Sequence, residues 1–332
     1  MSEKVDFVIT WVDGNDTEWQ KSKAYYTGNS IGDSRDIRFR DWGNLQYLFR
    51  GIEQFTPWVN KVHFVTWGHL PEWLNTEHPK LNIVNHRDFI PNEYLPTFSS
   101  HSIELNLHRI KDLSNKFVYF NDDTFILKFM PVEDFFVNNL PRDIAVIMPL
   151  INDFRNSTGA IVSNNMEIIN TTYNKRRTIK NNIFKWFNLT YKKHVINTIL
   201  MMPYKKFTGF FNPHLPNSFL KESYQELWED EYDILHKTCK NKLRDGRDVN
   251  QWLIRYKQIV EGKFIPRSPD IGRTYSLTNN NENVLSTILN QKHKLICIND
   301  NDKEKIHDFE KVKSDLVKSF ECIMPNKSEF EK

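Results

Sequence analysis

Cysteine is scarce in this chain: Cys239, Cys297 and Cys322 are the three among 332 residues. An odd, widely spaced set supplies neither a disulfide framework nor zinc-ligand spacing. Glycine is also sparse, with 11 residues, and with 14 prolines the composition excludes collagen-like and low-complexity chains. Neither G-x-G-x-x-G nor G-x-x-x-x-G-K-S/T occurs, so no glycine-rich loop of those types cradles a phosphate. No run approaches the roughly 18 apolar residues of a membrane span. The start, Met1 to Asp6, lacks the basic region and apolar run of a secretory signal, so the expected location is cytoplasmic. No repeat of about 20–50 residues is visible.

What the chain has is a core in prospect. Hydrophobic residues make up 39% and aromatics 14%, which excludes disorder over most of the length. The net charge of +3 is too small to imply nucleic acid, and no nucleic-acid-binding module is recognisable. Its distribution is uneven: residues 1–142 hold 15 basic against 19 acidic side chains, and residues 143–332 hold 30 against 23.

Apolar runs bounded by turn residues predict strands at Lys4–Val12, Lys61–Trp67, Leu81–Asn85, Lys116–Phe120, Asp143–Leu150 and Lys294–Ile298. Helical spacing predicts helices over Asp41–Phe55 and Ser99–Leu113. The alternation reads as an α/β fold, a mainly parallel sheet flanked by helices. In such sheets ligands sit beyond the carboxyl ends of the strands, where this chain carries Asp13, Asp122 with Asp123, and Asp300. Thr171–Lys206 departs from the pattern, with nine Lys or Arg and no Asp or Glu. It reads as a basic, mainly helical insertion within about 151–206, whose partner is plain solvent, an anionic polymer or an anionic membrane surface. The remainder, 1–150 and 207–300, forms one expected catalytic core, followed by a charged helix and frayed tail over 301–332.

Adjacent carboxylates after a buried strand repel one another unless a cation neutralises them, which makes Asp122 and Asp123 candidate ligands of Mg²⁺ or Mn²⁺; an ordinary turn is the alternative. Asp13-Gly14 could meet a ribose hydroxyl or a metal, because glycine lets the backbone approach a ligand closely. His214 lies in Phe211-Asn212-Pro213-His214-Leu215-Pro216, where the prolines restrict the backbone around a group suited to proton transfer. Arg244 begins a run through Asp248 and Asn250 whose guanidinium groups match phosphate oxygens.

The order of these segments resembles the Stealth family, sugar-1-phosphate transferases of bacterial capsule and exopolysaccharide synthesis with eukaryotic N-acetylglucosamine-1-phosphotransferase relatives. The first block resembles DFVITWVDGND at Asp6–Asp16. The second runs over Arg38–Leu74 and on through LPTFSSHSIE at 95–104 and VYFNDDTFIL at 118–127. The third spans Pro213–Pro216 to Asp248-Val249-Asn250, and the fourth is CIND at Cys297–Asp300. The sequence departs from the family's usual residues at Ser99 and at Trp67-Gly68-His69.

The resemblance implies transfer of a hexose-1-phosphate from a UDP-sugar, typically a UDP-N-acetylhexosamine, to a hydroxyl of an anionic polysaccharide, with release of UMP. It further implies Asp122, Asp123 and Asp300 as metal ligands and His214 as base or proton-bearing partner. Arg50 and Arg244 would hold the phosphate. Asp13, Gly14 and Asn121 would face the nucleotide, His101 and Glu104 the donor, and Asp248 and Asn250 the substrate. The rival readings are a glycosyltransferase that releases UDP and a non-catalytic glycan-binding protein.

Overall fold

A computed structural model of the chain describes residues 4–28, 41–151, 158–300 and 306–332. Arg38–Arg40 of the second block, residues 152–157 of the expected insertion and residues 301–305 of the expected tail lie outside that set.

The strands are β1 (Val5–Thr10), β2 (Val62–Thr66), β3 (Leu81–Asn85), β4 (Lys116–Asn121), β5 (Thr124–Ile126), β6 (Phe136–Val137), β7 (Leu140–Asp143), β8 (Asn217–Leu220), β9 (Ile265–Pro266), β10 (Gly272–Ser276) and β11 (Leu295–Asn299). The main sheet has the order β3-β2-β1-β4-β8. Its first four strands are parallel and β8 closes the edge antiparallel to β4. A second sheet, β10-β11-β5, and a third, β6-β7-β9, complete the strands. The mainly parallel α/β architecture expected from the sequence is therefore present.

Side-chain alternation splits this sheet between two cores. Phe7 and Ile9 of β1, with Val118 and Phe120 of β4, face a core shared with the helix Leu45–Phe55 and the helix Phe309–Ile323. Val8, Phe117 and Tyr119 face the opposite core, beneath the helices Ser100–Asn106, Lys221–Asp230 and Trp252–Val260. On the first side, a Cβ at Gly51 would lie 2.7 Å from the Ile126 carbonyl, so glycine is what lets that helix close on β5.

Three expectations change. Asp143–Leu150 is not one strand: β7 ends at Asp143, and a single bridge joins Ile147 to Phe210. Ile144 to Ile147 are nevertheless fully buried. Side chains satisfy part of that backbone, the Ala145 N–H donating to Tyr191 Oη at 3.2 Å and the Ile147 N–H to Thr198 Oγ1 at 3.1 Å. Both partners belong to the basic segment, which is helical as expected but is not separate from the core expected over 1–150 and 207–300, since Trp186 and Tyr191 are core residues. The C-terminus is not frayed: Phe330 is buried against Phe49 and His78, and Glu331 bridges to Leu74.

Candidate active site

A cavity of about 550 Å³ opens at the carboxyl edge of the sheet. The segment after β1 brings Asp13 to it, the end of β4 and the turn that follows bring Asn121, Asp122 and Asp123, and the end of β11 brings Asn299 and Asp300. The edge carboxylates thus converge from two different sheets. His214, Arg244, Asn250 and the pair His101 and Glu104 also line it, the last two from one face of the helix Ser100–Asn106.

Electrostatic conflict is concentrated at Asp122 and Asp123. Burial, and then the neighbouring Asp123 charge, push the Asp122 carboxyl up to about 7. Burial also raises Asp123, with His214 and Cys297 acting in the opposite direction. Asp123 Oδ1 is buried and accepts no hydrogen bond among the described residues. A divalent cation would relieve both the like-charge repulsion and the orphaned oxygen, so the residues fit a hard cation. A carboxylate oxygen of Asp123, a ring nitrogen of His214 and the Cys297 sulfur lie within 4.8 Å of one another. Burial holds the Cys297 thiol well above its usual pKa, and it donates to Asn299 Oδ1 at 3.1 Å, so a protonated thiol is the poorest ligand of the three.

His214 has φ 46°, a region non-glycine residues rarely visit and one often found at functional sites. Its Nε2 meets the Asn121 side-chain amide at 3.1 Å, and its Nδ1 meets that of Asn299 at 3.2 Å. The two side-chain amides bracket the ring from both edges and fix its orientation. The segment leading to it is anchored by Arg255, which donates to Asn212 Oδ1 at 2.6 Å and to the Phe211 carbonyl at 3.1 Å.

Other expected residues separate into lining and supporting roles. Asp248 is fully buried behind the cavity, accepting from His101 Nδ1 at 2.9 Å and from Asn241 at 2.7 Å. It is therefore a positioning residue rather than a substrate contact, and it turns the His101 ring. Arg244 donates to Ser100 Oγ at 2.7 Å at the cavity wall, and its charge opposes the rise at Asp122. Gly14 lies just outside the lining; its carbonyl accepts from Gln20 at 2.7 Å. Asp13 lines the cavity while its Oδ1 accepts from the Asn15 N–H at 2.8 Å.

Arg50 does not reach the cavity. Its Nε and Nη2 donate to the two Glu331 oxygens at 2.8 Å, and Nη1 donates to the Met324 carbonyl at 2.8 Å. Its fork is engaged by the C-terminal segment, so it is not a phosphate ligand.

Several residues that line or brace the cavity carry no motif signal of their own. Tyr119 shares a 3.0 Å hydrogen bond with Thr10 Oγ1 beneath the cavity, and its place on a buried strand three residues before Asp122 is the available signal. Asn299 sits beside Asp300 in CIND. His69, in the Trp67–His69 departure, accepts from the Asp13 N–H at 2.8 Å and is kept neutral by burial, so it holds the first aspartate loop in place.

Strand topology, edge carboxylates and a histidine held in place together define an α/β protein with an acidic cavity at the carboxyl edge of its main sheet. Among known families, "Stealth protein CR1, conserved region 1" matches residues 3–31 and "Stealth protein CR2, conserved region 2" matches residues 38–143. A capsular polysaccharide phosphotransferase WcwK of Streptococcus pneumoniae is 45% identical over 333 residues, 99% of this chain and 98% of that protein. The receptor polysaccharide phosphotransferase WefC of Streptococcus gordonii is 37% identical over 336 residues, covering 100% of both. Among solved structures, the apo WbbM bifunctional glycosyltransferase is similar at TM-score 0.39 and 10% identity, over 96% of this chain and 50% of that one. The chain belongs to the Stealth family.

Proposed function

We propose that the protein is a polysaccharide phosphotransferase that moves a hexose-1-phosphate, from a UDP-N-acetylhexosamine, to a hydroxyl of a capsular or exopolysaccharide chain. Full-length similarity to relatives named phosphotransferases supports the class of reaction. The observation that carries the site assignment is the half-buried Asp122–Asp123 pair, with its orphaned Asp123 oxygen, opposite a histidine held at both ring nitrogens.

In this reading Asp122, Asp123 and Asp300 hold Mg²⁺ or Mn²⁺, which would supply charge neutralisation at the phosphate oxygens. His214 takes the proton of the acceptor hydroxyl as that oxygen bonds to the phosphorus bearing the sugar. The bond from this phosphorus to the bridging oxygen breaks, and UMP leaves with that oxygen. Arg244 steadies the phosphate during transfer. His101, oriented by Asp248, and Glu104 bind the donor sugar, while Asp13 and Asn121 face the nucleotide. The acceptor is an anionic polysaccharide, and the protein works in the cytoplasm, peripherally at the inner face of the membrane. Among the described residues no helix is long and apolar enough to cross a membrane.

The test is the identity of the released nucleotide. Protein, Mg²⁺, a panel of UDP-N-acetylhexosamines and a short capsular oligosaccharide should yield UMP and a phosphorus-bearing product. UDP with a phosphorus-free product would make the protein a glycosyltransferase.

A further inference from the structure

The basic segment is built inside out. In the helix Val195–Met201, polar Thr198 is fully buried and its hydroxyl accepts from the Ile147 N–H, yet Ile196, Ile199 and Leu200 are 53%, 52% and 60% exposed. Their i, i+3, i+4 spacing forms one aliphatic stripe, and it faces outward. The preceding turns repeat the arrangement: Trp186 is buried whereas Phe184 is 85% and Leu189 90% exposed. Single exposed apolar residues are ordinary on a protein surface, but an outward stripe with further apolar groups on adjoining turns marks an interaction site.

Within the segment itself the charge has one sign, and its Lys192 is paired with Asp270 from outside it. Residues 171–206 contain no Asp or Glu. Lys175 is buried, its Nζ donating to the carbonyls of Met201 at 2.6 Å and Tyr204 at 3.0 Å. That pins the start of the helix Lys175–Asn181 to the end of the aliphatic helix, with exposed Arg176 and Arg177 following directly. Arg176, Arg177, Lys193 and Lys205 are exposed and make no ion pair among the described residues.

We propose that this face docks on an anionic phospholipid bilayer, the aliphatic stripe entering the headgroup boundary and the flanking cations meeting lipid phosphates. Short amphipathic helices bind in the interface plane in this way, by apolar burial together with attraction to anionic lipid. A hydrated polyanion would satisfy the cations but leave the aliphatic stripe in water. A second copy docked on the same face would bring like charges together. The aliphatic helix also packs on the buried stretch that pairs with Phe210, four residues before His214, so docking would hold the cavity close to the surface. None of the proposed docking residues lines the cavity, so failure here leaves the transfer reaction untouched.

The test is flotation of the full chain with phosphatidylglycerol–phosphatidylcholine vesicles and with phosphatidylcholine vesicles. Binding should favour the anionic vesicles by at least about tenfold and fall as salt rises. Ile196→Ser/Ile199→Ser/Leu200→Ser and Arg176→Glu/Arg177→Glu should each weaken it about tenfold or more, while turnover with a soluble acceptor stays unchanged. Phe184→Ser/Leu189→Ser, on a separate turn, gives the same readout if the triple variant fails to fold. The proposal is overturned by absence of vesicle binding, by equal binding to neutral vesicles, or by variants that bind like the parent. It is equally overturned if the stripe variants abolish self-association or binding to a soluble acidic polysaccharide without any vesicle binding by the parent.

Discussion

The acidic edge of the cavity and the Asp143–Arg255 cluster behind it both bury charge, by opposite means. Arg255 is 1% exposed and Asp143 is 4% exposed, and the guanidinium grips the carboxylate at 2.7 to 3.0 Å through two nitrogens. Its remaining donor and the Phe211 and Asn212 contacts tie down the segment that ends at His214. Asp122 and Asp123 instead present like charges to each other, with one oxygen unsatisfied. Opposite charges buried together complete a structure, whereas like charges held half-buried at a cavity edge leave a conflict that a cation would relieve. The first cluster anchors the segment that leads to His214, across the cavity from the second.

Asp123→Asn should break the comparison most sharply. Turnover should fall by about 10²-fold or more, because the charge that receives the cation is gone, while the melting temperature holds or rises as repulsion is removed. Steady-state nucleotide release alongside thermal unfolding checks it, and near-parental activity would show that Asp123 is not at the reacting centre. Arg255→Met should do the reverse in kind, costing about 3–5 kcal/mol of stability by leaving Asp143 buried without its partner. Denaturant unfolding measures that, and a loss below about 1 kcal/mol would show the pair to be dispensable.

Arg50→Met separates a structural arginine from a catalytic one. It should lower stability by about 1–3 kcal/mol, through the lost Glu331 and Met324 contacts, and leave kcat and KM unchanged. A large drop in kcat with an intact fold would return Arg50 to the site.

The smallest effect is a pH slope. Burial and the Asp123 charge push the folded-state Asp122 carboxyl up to about 7, whereas the unfolded chain loses this proton near the ordinary aspartate value of 3.8. Between these values the native state binds more protons, so this group makes stability fall as pH rises. In chelator, the parent should therefore gain stability relative to Asp122→Asn when pH is lowered from about 7 towards 5. Parallel melting curves for the two proteins would contradict the assignment.

These contrasts also explain what the sequence disclosed. β1, β2, β3, β4 and β11 are short apolar runs ended by turn residues, a local pattern, and the carboxylates that follow three of them mark the cavity edge. His214 was legible from its prolines. The partners were not. Arg50 meets Glu331 across 281 positions, and no local spacing announces that pairing. Lys175 reads as one more surface cation, yet it is buried against two carbonyls. Asp143–Leu150 has the apolar content of a strand, but its backbone is satisfied partly by Tyr191 and Thr198 side chains. Asp248 reads as a ligand-facing carboxylate and in fact braces His101 from behind. Periodicity reports burial; it does not report which distant group completes a hydrogen bond.

Calorimetric titration of a UDP-N-acetylhexosamine into the parent protein and into Asp123→Asn, each with Mg²⁺ and with chelator, tests the central claim that the like-charged edge is completed by a cation and a nucleotide sugar. The expected result is donor binding at least about tenfold tighter with Mg²⁺ in the parent, a difference that Asp123→Asn abolishes. Equal binding by the parent with and without the metal would contradict it.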